Sequence, residues 1–449
     1  MRLFRRLRGG LERLRHLPPP AQLASLYLGL IVLGTILLIL PISNTGKVTS
    51  LDAAFTSVSA VTVTGLAVVD TGSDYTIVGQ AIIACLIQLG GLGLMTFAVL
   101  VLTSLGIPVG FSHRVILRED LNQPSLGNLT SLVEQIFKIA VVVELGGALL
   151  LIIDFVPRLG VAEGIWSAIF TSISAFNNAG FALYPDSLSG WVGDPLLNIV
   201  VPLMFIVSGL GFLVVGEIVN KRSWRKLSLH SKLMLSGTAI LILWGTLTFG
   251  LLEWNNPGTL GGLESTSDRL WAAWFQGVTP RTAGFNTVDI TQMREETSLL
   301  TIALMLIGGG STSTAGGIKV TTFAVLIIAT LAFFRRRQDL TIFGRSIRGE
   351  ELLKVLALTI VSMLLVMVSL FLLLIFEDAS FLELAFEVSS AFGTVGLSLG
   401  ATGDLTWAGK IVIMVVMFLG RVGPLTLGFF LATRTVPQVR YPEGRVFLG

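Results

Sequence analysis

The sequence predicts an all-α polytopic membrane protein built from four pseudo-repeated helical units. Composition is the first observation: 53% of the 449 residues are hydrophobic and only 13% are charged, whereas soluble domains average about 25% charged residues. The second is the apolar runs, such as 21–42 and 355–376, which approach or exceed the roughly 20 residues that span a bilayer as a helix. The third is a short stretch that recurs four times.

Each copy of this stretch opens with an aromatic residue, continues through small and polar residues, and ends in Gly followed by Leu or Phe. The copies align without gaps and are regularly spaced: FTSVSAVTVTGL (55–66), FTSISAFNNAGF (170–181), WFQGVTPRTAGF (274–285) and FEVSSAFGTVGL (386–397). Self-similarity at a fixed period is the signature of repeated structural units. The chain is therefore expected to contain four of them.

Each stretch lies between two apolar runs. The runs that precede it are 21–42, 129–155, 233–253 and 355–376, and those that follow it are 76–104, 195–219, 298–333 and 407–433. The segment between them is too short to cross a membrane alone, so it predicts a re-entrant half-helix and a descending loop. Four helix–pore loop–helix units would then supply eight membrane-spanning helices around one centre.

The same pattern predicts the unit boundaries. We expect a basic tail at 1–20, units at 21–106, 107–220, 221–336 (with an intramembrane loop at 308–317) and 337–434, and a second tail at 435–449. The apolar run after the first tail is too long for a signal peptide and stays as a helix. Lys and Arg crowd both tails and the links between units. Because basic segments stay cytoplasmic, we expect both termini inside and the four loops outside.

Few residues are available for enzyme chemistry. The single cysteine, Cys85, excludes an intrachain disulfide framework and a thiolate metal cluster. The three histidines are scattered without a ligand-spaced partner: His16, His113 and His230. No pairing of a nucleophile with a base is visible either. The sequence therefore argues against an enzyme, and its basic residues follow membrane topology and do not indicate a nucleic-acid partner.

The four loops are predicted to bind a dehydrated cation on the axis of one central ion pore. Non-helical backbone at membrane depth is tolerated only where it is buried or lines an aqueous path, and carbonyl oxygens from four loops can replace an ion's water shell. The last loop contains TVG, a triplet that forms part of the filter in potassium channels. The candidate filter residues are Thr62, Val63, Thr64, Gly65, Asn177, Asn178, Ala179, Gly180, Thr282, Ala283, Gly284, Gly393, Thr394, Val395 and Gly396.

Some loop features allow a second interpretation. The glycines would also suit helix packing, since small residues crowd membrane helix interfaces, although four matched copies favour the filter. The acidic residues after the loops either cap turns or form a negative vestibule that concentrates cations: Asp70, Asp186, Asp289 and Asp404. Arg281 lies three residues before Gly284, and we expect it to point behind the loop toward a carboxylate.

A run of small residues, GGGSTSTAGG at 308–317, interrupts the last apolar run of the third unit. One interpretation is a movable gate just inside the filter, and the other is a packing kink. A phosphate-binding loop is excluded because Lys319 does not directly follow Gly317. The candidate gate residues are Gly308, Gly309, Gly310, Ser311, Thr312, Ser313, Thr314, Ala315, Gly316, Gly317, Lys319 and Arg421.

Arg421 is a charged residue inside the last apolar run, which is by default a functional hypothesis. It is expected at the level of the 308–317 loop, where it would hinder cations or hold the loop by hydrogen bonds to its carbonyls. The alternative is a buried ion pair with Glu144 or Glu217.

These features together resemble the Trk/Ktr/HKT superfamily of potassium transporters, and most closely its KtrB-type branch. The resemblance covers essentially the whole chain through the loops TVTGL, NNAGF, RTAGF and GTVGL, the interrupted GGGSTSTAGGIK segment and the late Arg421. The TrkH branch usually carries two extra spans before the first unit, and here the first span begins near residue 21.

The resemblance implies a membrane-embedded, ion-translocating subunit of a K⁺ uptake system in a bacterial cell membrane. It implies a homodimer in membrane lipid, controlled by a separate cytoplasmic ring of RCK-type, KtrA-like nucleotide-binding subunits. K⁺ would be the transported ion, often helped by Na⁺, with no organic cofactor in this chain. Gly65 matches the potassium-type pattern, whereas serine at this position accompanies sodium permeation in some plant relatives.

Two transport classes remain open from the residues. Passive, regulated uptake through a filter agrees with the lack of a nucleotide motif in the chain. A Na⁺-coupled or H⁺-coupled K⁺ symporter of the same fold would need a carboxylate at mid-membrane, for which Glu144 is the main candidate.

Overall fold

The computed structural model describes residues 19–104, 114–115, 117, 129–336 and 339–423. The predicted tail at 1–20, except its last two residues, and the tail at 435–449 lie outside this part of the chain. Within it, a long helix, a short helix, an extended segment and a further helical segment follow one another in the same order four times, and in the first three units that last segment is interrupted.

The element bounds show this repetition directly. The first unit contains α1 (Pro19–Ile39), α2 (Ser50–Val61), α3 (Ile77–Leu92) and α4 (Leu94–Ser104), and the second contains α5 (Leu129–Leu159), α6 (Val161–Phe176), α7 (Pro195–Leu210) and α8 (Phe212–Lys221). The third contains α9 (Leu229–Glu253), α10 (Thr266–Val278), α11 (Glu295–Leu306) and α12 (Val320–Phe334), and the fourth contains α13 (Gly349–Phe376), α14 (Phe381–Gly393), α15 (Ala401–Asp404) and α16 (Trp407–Val422). Four 3₁₀ turns connect them: Ser189–Trp191, Trp224–Lys226, Leu260–Gly262 and Ile290–Gln292.

The first helix of every unit is long and apolar enough to cross a membrane: Ala21–Ile39, Ser131–Leu159, Leu229–Glu253 and Gly349–Phe376. The second crossing of each unit differs from the prediction of one unbroken span. In the second unit, α7 and α8 pass the same test only together and are bent by 95° at their junction. The prediction of apolar spanning helices is therefore confirmed for the first helix of each unit, and the arrangement of eight spans stays a prediction.

Burial divides the long helices from the short ones. The long helices expose large apolar side chains, for example Leu28, Val142, Leu251 and Met363. Such a surface suits the hydrocarbon of a bilayer. The short helices are largely enclosed by the fold: Phe55 of α2 is fully buried, like its counterparts Phe170 and Phe386, and so is Phe275, the residue after the third counterpart Trp274.

Polar residues explain where the short helices begin. Thr49 accepts a hydrogen bond from the backbone N–H of Asp52, whose carboxylate accepts in return from the backbone of Thr49. Ser380 and Glu383 form the same reciprocal pair at the start of α14. This arrangement satisfies two backbone donors that a helix start otherwise leaves unpaired.

The all-α prediction misses one short hairpin between the third and fourth units. Strands β1 (Leu340–Ile342) and β2 (Arg345–Ile347) pair antiparallel. The two turn residues, Phe343 and Gly344, both have positive φ, at 52° and 73°, as a tight two-residue hairpin turn requires. The ring of Phe343 packs edge-on against Trp224 of the preceding link, with 6.2 Å between centroids.

Polar contacts join the units in a closed order. The indole of Trp166 donates to Gln80 (2.7 Å) between the second and first units. Trp274 donates to a backbone carbonyl between the third and second units, and α11 packs against α14 between the third and fourth. Lys410 of α16 pairs with Asp52 of α2 at 2.9 Å. This ion pair connects the last unit to the first.

Replacing Lys410 by Met is expected to lower the free energy of unfolding by about 1–3 kcal/mol, because it leaves a largely buried carboxylate without its charged partner. The side chains of Lys410 and Asp52 are only 15% and 11% exposed. The measurement is the thermal unfolding midpoint of the purified protein in detergent, with the exposed Lys47→Met as the control. Equal midpoints for the two variants would contradict the role of this pair.

Candidate functional site

The four glycines that end the repeated stretches meet at one place in the fold. A Cβ placed on Gly65 would lie 3.0 Å from the Cα of Gly180, and one on Gly180 would lie 3.0 Å from the Cα of Gly284. A Cβ on Gly396 would lie 3.0 Å from the Cα of Gly65, and one on Gly284 would lie 3.2 Å from the carbonyl carbon of Val395. The glycines therefore form a closed ring, one from each unit.

Backbone carbonyls line this ring in a regular way. The carbonyl oxygen of the residue before each glycine is among the atoms nearest to the glycine of the adjacent loop. The pairs are Ala179 beside Gly65, Ala283 beside Gly180, Val395 beside Gly284 and Thr64 beside Gly396. The tight approach explains why a side chain is excluded at all four glycines.

The residue two positions before each glycine has a left-handed backbone, which is uncommon outside glycine. The φ angles are 50° at Val63, 56° at Asn178, 72° at Thr282 and 50° at Thr394. The glycines are also left-handed, while the residues between are not. Such alternation turns successive carbonyls toward the same side. Strained, β-branched left-handed residues persist where the surrounding structure holds them, and they concentrate at functional sites.

Side chains fix the loops from behind, by different means in different units. The hydroxyl of Ser59 accepts from the N–H of Gly65, and that of Ser390 accepts from the N–H of Gly396, each at 3.0 Å. In the second and third units, the amide of Asn178 donates to the hydroxyl of Thr282 at 2.9 Å. Ser208 donates to the same amide's oxygen. All fifteen predicted filter residues therefore belong to loops that meet at this ring.

Backbone hydrogen bonds join the two ends of the 308–317 loop, and this pair of segments (308–309 and 318–320) is called the neck of the loop. The N–H of Gly308 donates to the carbonyl of Ile318 (2.8 Å), and that of Val320 donates to the carbonyl of Gly309 (3.1 Å). Beyond the neck the loop pairs with the break between α7 and α8, where Phe212 donates to Thr312. Several backbone N–H and C=O groups of the loop, which have no helical hydrogen bond, are thus bonded to other backbone groups of the protein.

The loop also contacts the inner ends of the short helices. The hydroxyl of Thr314 donates to the carbonyl of Phe176, the last residue of α6 (3.4 Å). A Cβ on Gly316 would lie 3.1 Å from the Cβ of Thr394, and one on Gly317 would lie 3.3 Å from the Cα of Gly393. The loop therefore lies directly next to the segments that lead into the glycine ring.

Two cationic side chains hold consecutive carbonyls of the loop. Arg421 donates to the carbonyl of Thr314, and its other nitrogen donates to the carbonyls of Gly90 and Gly91 at the end of α3. Lys319 donates to the carbonyl of Ala315 at 2.6 Å. The structure thus shows Arg421 bonded to loop carbonyls.

The alternative partners proposed for Arg421 are occupied elsewhere. Glu144 accepts from Gln88 and Asn177, while Glu217 pairs with Lys221. In the described part of the chain, neither carboxylate forms an ion pair with Arg421.

The expectation that Arg281 points to a carboxylate is wrong. Its guanidinium lies behind the third loop, 93% buried, and donates to the hydroxyl of Thr238 on α9 at 3.3 Å. Among the described residues no carboxylate lies within ion-pair distance of it. A hydroxyl on another helix takes the place of the predicted acid.

The acidic residues after the loops divide into two groups. Asp70 accepts from the N–H of Ser73, and Asp289 accepts from the N–H and hydroxyl of Thr291, so both cap turns. Asp186 and Asp404 are exposed, as is Asp289. Turn capping therefore accounts for Asp70 and Asp289, and a negative vestibule remains a prediction for the exposed carboxylates.

Sequence reasoning missed three helix breaks that match the 308–317 interruption. Gly93, Gly211 and Gly423 have almost the same backbone, with φ of 88°, 96° and 93° and ψ of 128°, 135° and 140°. They follow α3, α7 and α16, and within the described residues the second helical segment is interrupted in the first, second and third units. The signal was present in the sequence as GGLG (90–93), SGLG (208–211) and GRVG (420–423).

The chain matches the profile of the TrkH family, whose description is cation transport protein, over residues 23–441. It belongs to this family. Membership in a family of cation transporters confirms the predicted superfamily and the prediction that the chain is not an enzyme. With its apolar helices, it is a multi-pass membrane protein.

Curated relatives are similar over nearly their whole length. The chain is 49% identical to the Ktr system potassium uptake protein B of Bacillus subtilis (strain 168), over 96% of this chain and 97% of the relative. It is 44% identical to the protein of the same name from Vibrio alginolyticus, over 94% and 93%. It is 41% identical to the potassium/sodium uptake protein NtpJ of Enterococcus hirae, over 98% and 99%.

A solved structure has the same fold. The crystal structure of the potassium transporter TrkH from Vibrio parahaemolyticus aligns with a TM-score of 0.74 and 20% sequence identity, over 91% of this chain and 83% of that one. This likeness supports the helical architecture of the chain.

Gly180→Ala and Gly284→Ala are each expected to lower the thermal unfolding midpoint. The added Cβ occupies a left-handed backbone position, which costs about 1–3 kcal/mol. Its nearest neighbouring atom is the Cα of Gly284 at 3.0 Å in the first variant and, closer still, the carbonyl oxygen of Val395 in the second. Gly146→Ala on α5 is the matched control, because nothing lies within 4 Å of a Cβ there. Ring variants as stable as this control would show that the loops do not need the close approach.

Proposed function

We propose that this chain is the membrane-embedded, ion-translocating subunit of a K⁺ uptake system, and that K⁺ passes through the ring of Gly65, Gly180, Gly284 and Gly396. The observation that supports it most is the ring of carbonyl oxygens supplied by Thr64, Ala179, Ala283 and Val395. Carbonyl oxygens arranged around one axis replace the hydration shell of a monovalent cation. The names of the three relatives, all potassium uptake proteins, agree with this ion.

The driving force needs no ATP-binding motif in the chain. A membrane potential contributes about 2.3 kcal/mol per elementary charge per 100 mV. At about 150 mV, a passive pathway would therefore concentrate K⁺ inside the cell roughly 300-fold.

The 308–317 loop is proposed as the gate, held closed by Arg421 and Lys319. Both side chains donate to consecutive loop carbonyls next to the segments that lead into the ring. Their positive charges also oppose passage of a cation at this level. Because Arg421 reaches Gly90 and Gly91 as well, it ties the loop to the first unit.

The partners are proposed from the family. The word "system" in the names of two relatives implies a further component, and we propose a homodimer regulated by an RCK-type, nucleotide-binding cytoplasmic ring. The links at 221–226 and 339–348, with exposed Arg222, Arg225 and Arg345, would face that side of the membrane. Both termini would lie there too.

A second candidate function is a Na⁺-coupled or H⁺-coupled K⁺ symporter. One relative is named a potassium/sodium uptake protein, and Glu144 provides a carboxylate within a long apolar helix. Reversal potentials measured at fixed K⁺, with Na⁺ and pH varied in turn, separate the two candidates.

Gly65→Ser and Gly396→Ser are expected to reduce the preference for K⁺ over Na⁺ by about tenfold, equivalent to about 1.4 kcal/mol. The serine side chain would displace the adjacent loop, since a Cβ on either glycine lies 3.0 Å from a backbone Cα of that loop. The measurement is K⁺ and Na⁺ uptake in a transport-deficient bacterium, with Gly29→Ser on α1 as the control. If uptake and preference stay at wild-type values in both variants, the filter assignment is wrong.

Arg421→Gln is expected to raise K⁺ uptake in the absence of regulatory nucleotide. Loss of charged hydrogen bonds worth about 1.5–3 kcal/mol would increase the open population by about tenfold or more. Deleting 311–314 from the loop should have the same effect. Uptake is measured in proteoliposomes at equal protein content, with the exposed Arg335→Gln as the control. Unchanged uptake in both gate variants would favour a packing role for the loop.

A further inference from the structure

Glu144 is a carboxylate in the middle of an apolar helix, in the sequence AVVVELGGALL (140–150) of α5. An ionisable group in such a position is costly to keep and indicates function. In the described part of the chain it forms no ion pair with Lys or Arg. Its partners are instead two neutral amides.

The two amides and the carboxylate form one cluster across three elements. Glu144 Oε1 accepts from Gln88 Nε2 of α3 at 2.9 Å and from Asn177 Nδ2 at 3.3 Å. Asn177 also donates to Gln88 Oε1 at 2.7 Å. The backbone of α5 is held in place, since Ser172 of α6 donates to the carbonyl of Glu144 at 2.6 Å. The cluster therefore has a defined geometry behind the second loop.

Asn177 connects this cluster to the glycine ring. Asn177 directly follows Phe176, the last residue of α6, and caps that helix. The next residue, Asn178, has the left-handed backbone with φ of 56°. The carbonyl that follows, that of Ala179, faces Gly65 in the ring. Asn177 is thus only two positions along the chain from Ala179, whose carbonyl oxygen belongs to the ring, so a displacement of Asn177 is expected to move that oxygen.

The opposite side of Asn177 is closed by α3. A Cβ on Gly91 would lie 2.6 Å from the Cγ of Asn177, so the amide is packed against that backbone. Gly91 is also the residue whose carbonyl accepts from Arg421 at 2.9 Å.

This arrangement is confined to the second unit. The equivalent residues before the left-handed position are Thr62, Arg281 and Gly393. Thr62 bonds within its own loop, to Thr64 and Val58, Arg281 donates to Thr238, and Gly393 has no side chain. Among the residues that the structure describes, the second loop alone is held by a carboxylate from a long apolar helix.

We propose that Glu144, together with Gln88, is a positioning residue for ion preference: by accepting from Asn177 it fixes the second loop and the Ala179 carbonyl. This inference rests on the proposed filter. Glu144 acts through the hydrogen bond that its carboxylate accepts from Asn177, and it does not contact the ion itself. A Gln at position 144 retains an acceptor oxygen for Asn177, whereas Ala does not.

The test compares relative uptake of K⁺, Rb⁺ and Na⁺ by proteoliposomes containing the full chain. Glu144→Ala and Gln88→Ala are expected to change the K⁺ to Na⁺ ratio by about threefold to tenfold, the range of coupling between contacting residues. Glu144→Gln is expected to keep the wild-type ratio. Glu134→Ala, at an exposed position of the same helix, is the matched control. A purely structural role would lower the amount of folded protein and leave the ion ratios unchanged.

A double-mutant cycle with Asn177→Ala completes the test. The ratio for Glu144→Ala/Asn177→Ala is expected to equal that of Asn177→Ala alone, because the second change removes the group through which the first acts. Wild-type ratios in both Glu144→Ala and Gln88→Ala would overturn the proposal, as would a Glu144→Gln ratio that shifts as far as that of Glu144→Ala. If Glu144→Ala does not fold, Gln88→Ala and Glu144→Gln decide by the same criteria.

Gly180→Ser is measured alongside to separate this inference from the filter itself. If Gly180→Ser changes the ratios and the Glu144 and Gln88 variants do not, the filter stands and the positioning role fails. If Gly180→Ser also leaves the ratios unchanged, the filter fails and the positioning role fails with it.

Discussion

The backbone carbonyls of the four loops are the constraint on which this structure depends. Non-helical backbone within a membrane must be paired or must face water or an ion. The ring of four glycines meets this constraint by bringing the carbonyls of Thr64, Ala179, Ala283 and Val395 together. Several features of the fold help to close that ring: four short, largely buried helices, four left-handed residues, and the Asp52–Lys410 ion pair between the last unit and the first.

The same constraint governs the helical segment after each loop. Gly93 and Gly211 interrupt it in the first and second units with one shared backbone conformation, and the 308–317 loop replaces the single glycine in the third. Gly423 has the same conformation at the end of α16. Some of the carbonyls that lose a helical hydrogen bond at these interruptions are bonded by Arg421. Its guanidinium donates to the carbonyls of Thr314, Gly90 and Gly91. A single arginine thereby serves as a helix-end partner for two units.

The repeat was readable from the sequence because its period and its glycines survive in all four copies. Hydropathy likewise identified the long helices, as α9 and α13 illustrate. The glycine breaks were missed because one glycine in an apolar run is an ordinary feature of membrane helices. The similar stretches GGLG and SGLG acquire a structural meaning only from the shared backbone angles of Gly93 and Gly211. The partner of Arg281 was mispredicted because a charge-pairing rule overlooks a hydroxyl on another helix, Thr238. The β1–β2 hairpin was missed since its two strands are too short to show a period.

Four loops of different sequence can be adjusted one at a time, which a ring of identical subunits does not allow. Here each loop is supported differently. Ser59 and Ser390 hold backbone N–H groups, whereas Asn178 reaches across to Thr282. The third loop has a buried guanidinium behind it, and the second has a cluster that extends to a spanning helix. Because ring oxygens from adjacent loops lie next to each other's glycines, a shift in any one support changes the spacing of the whole ring. Under the proposed function, ion preference therefore depends on the supports of all four loops together.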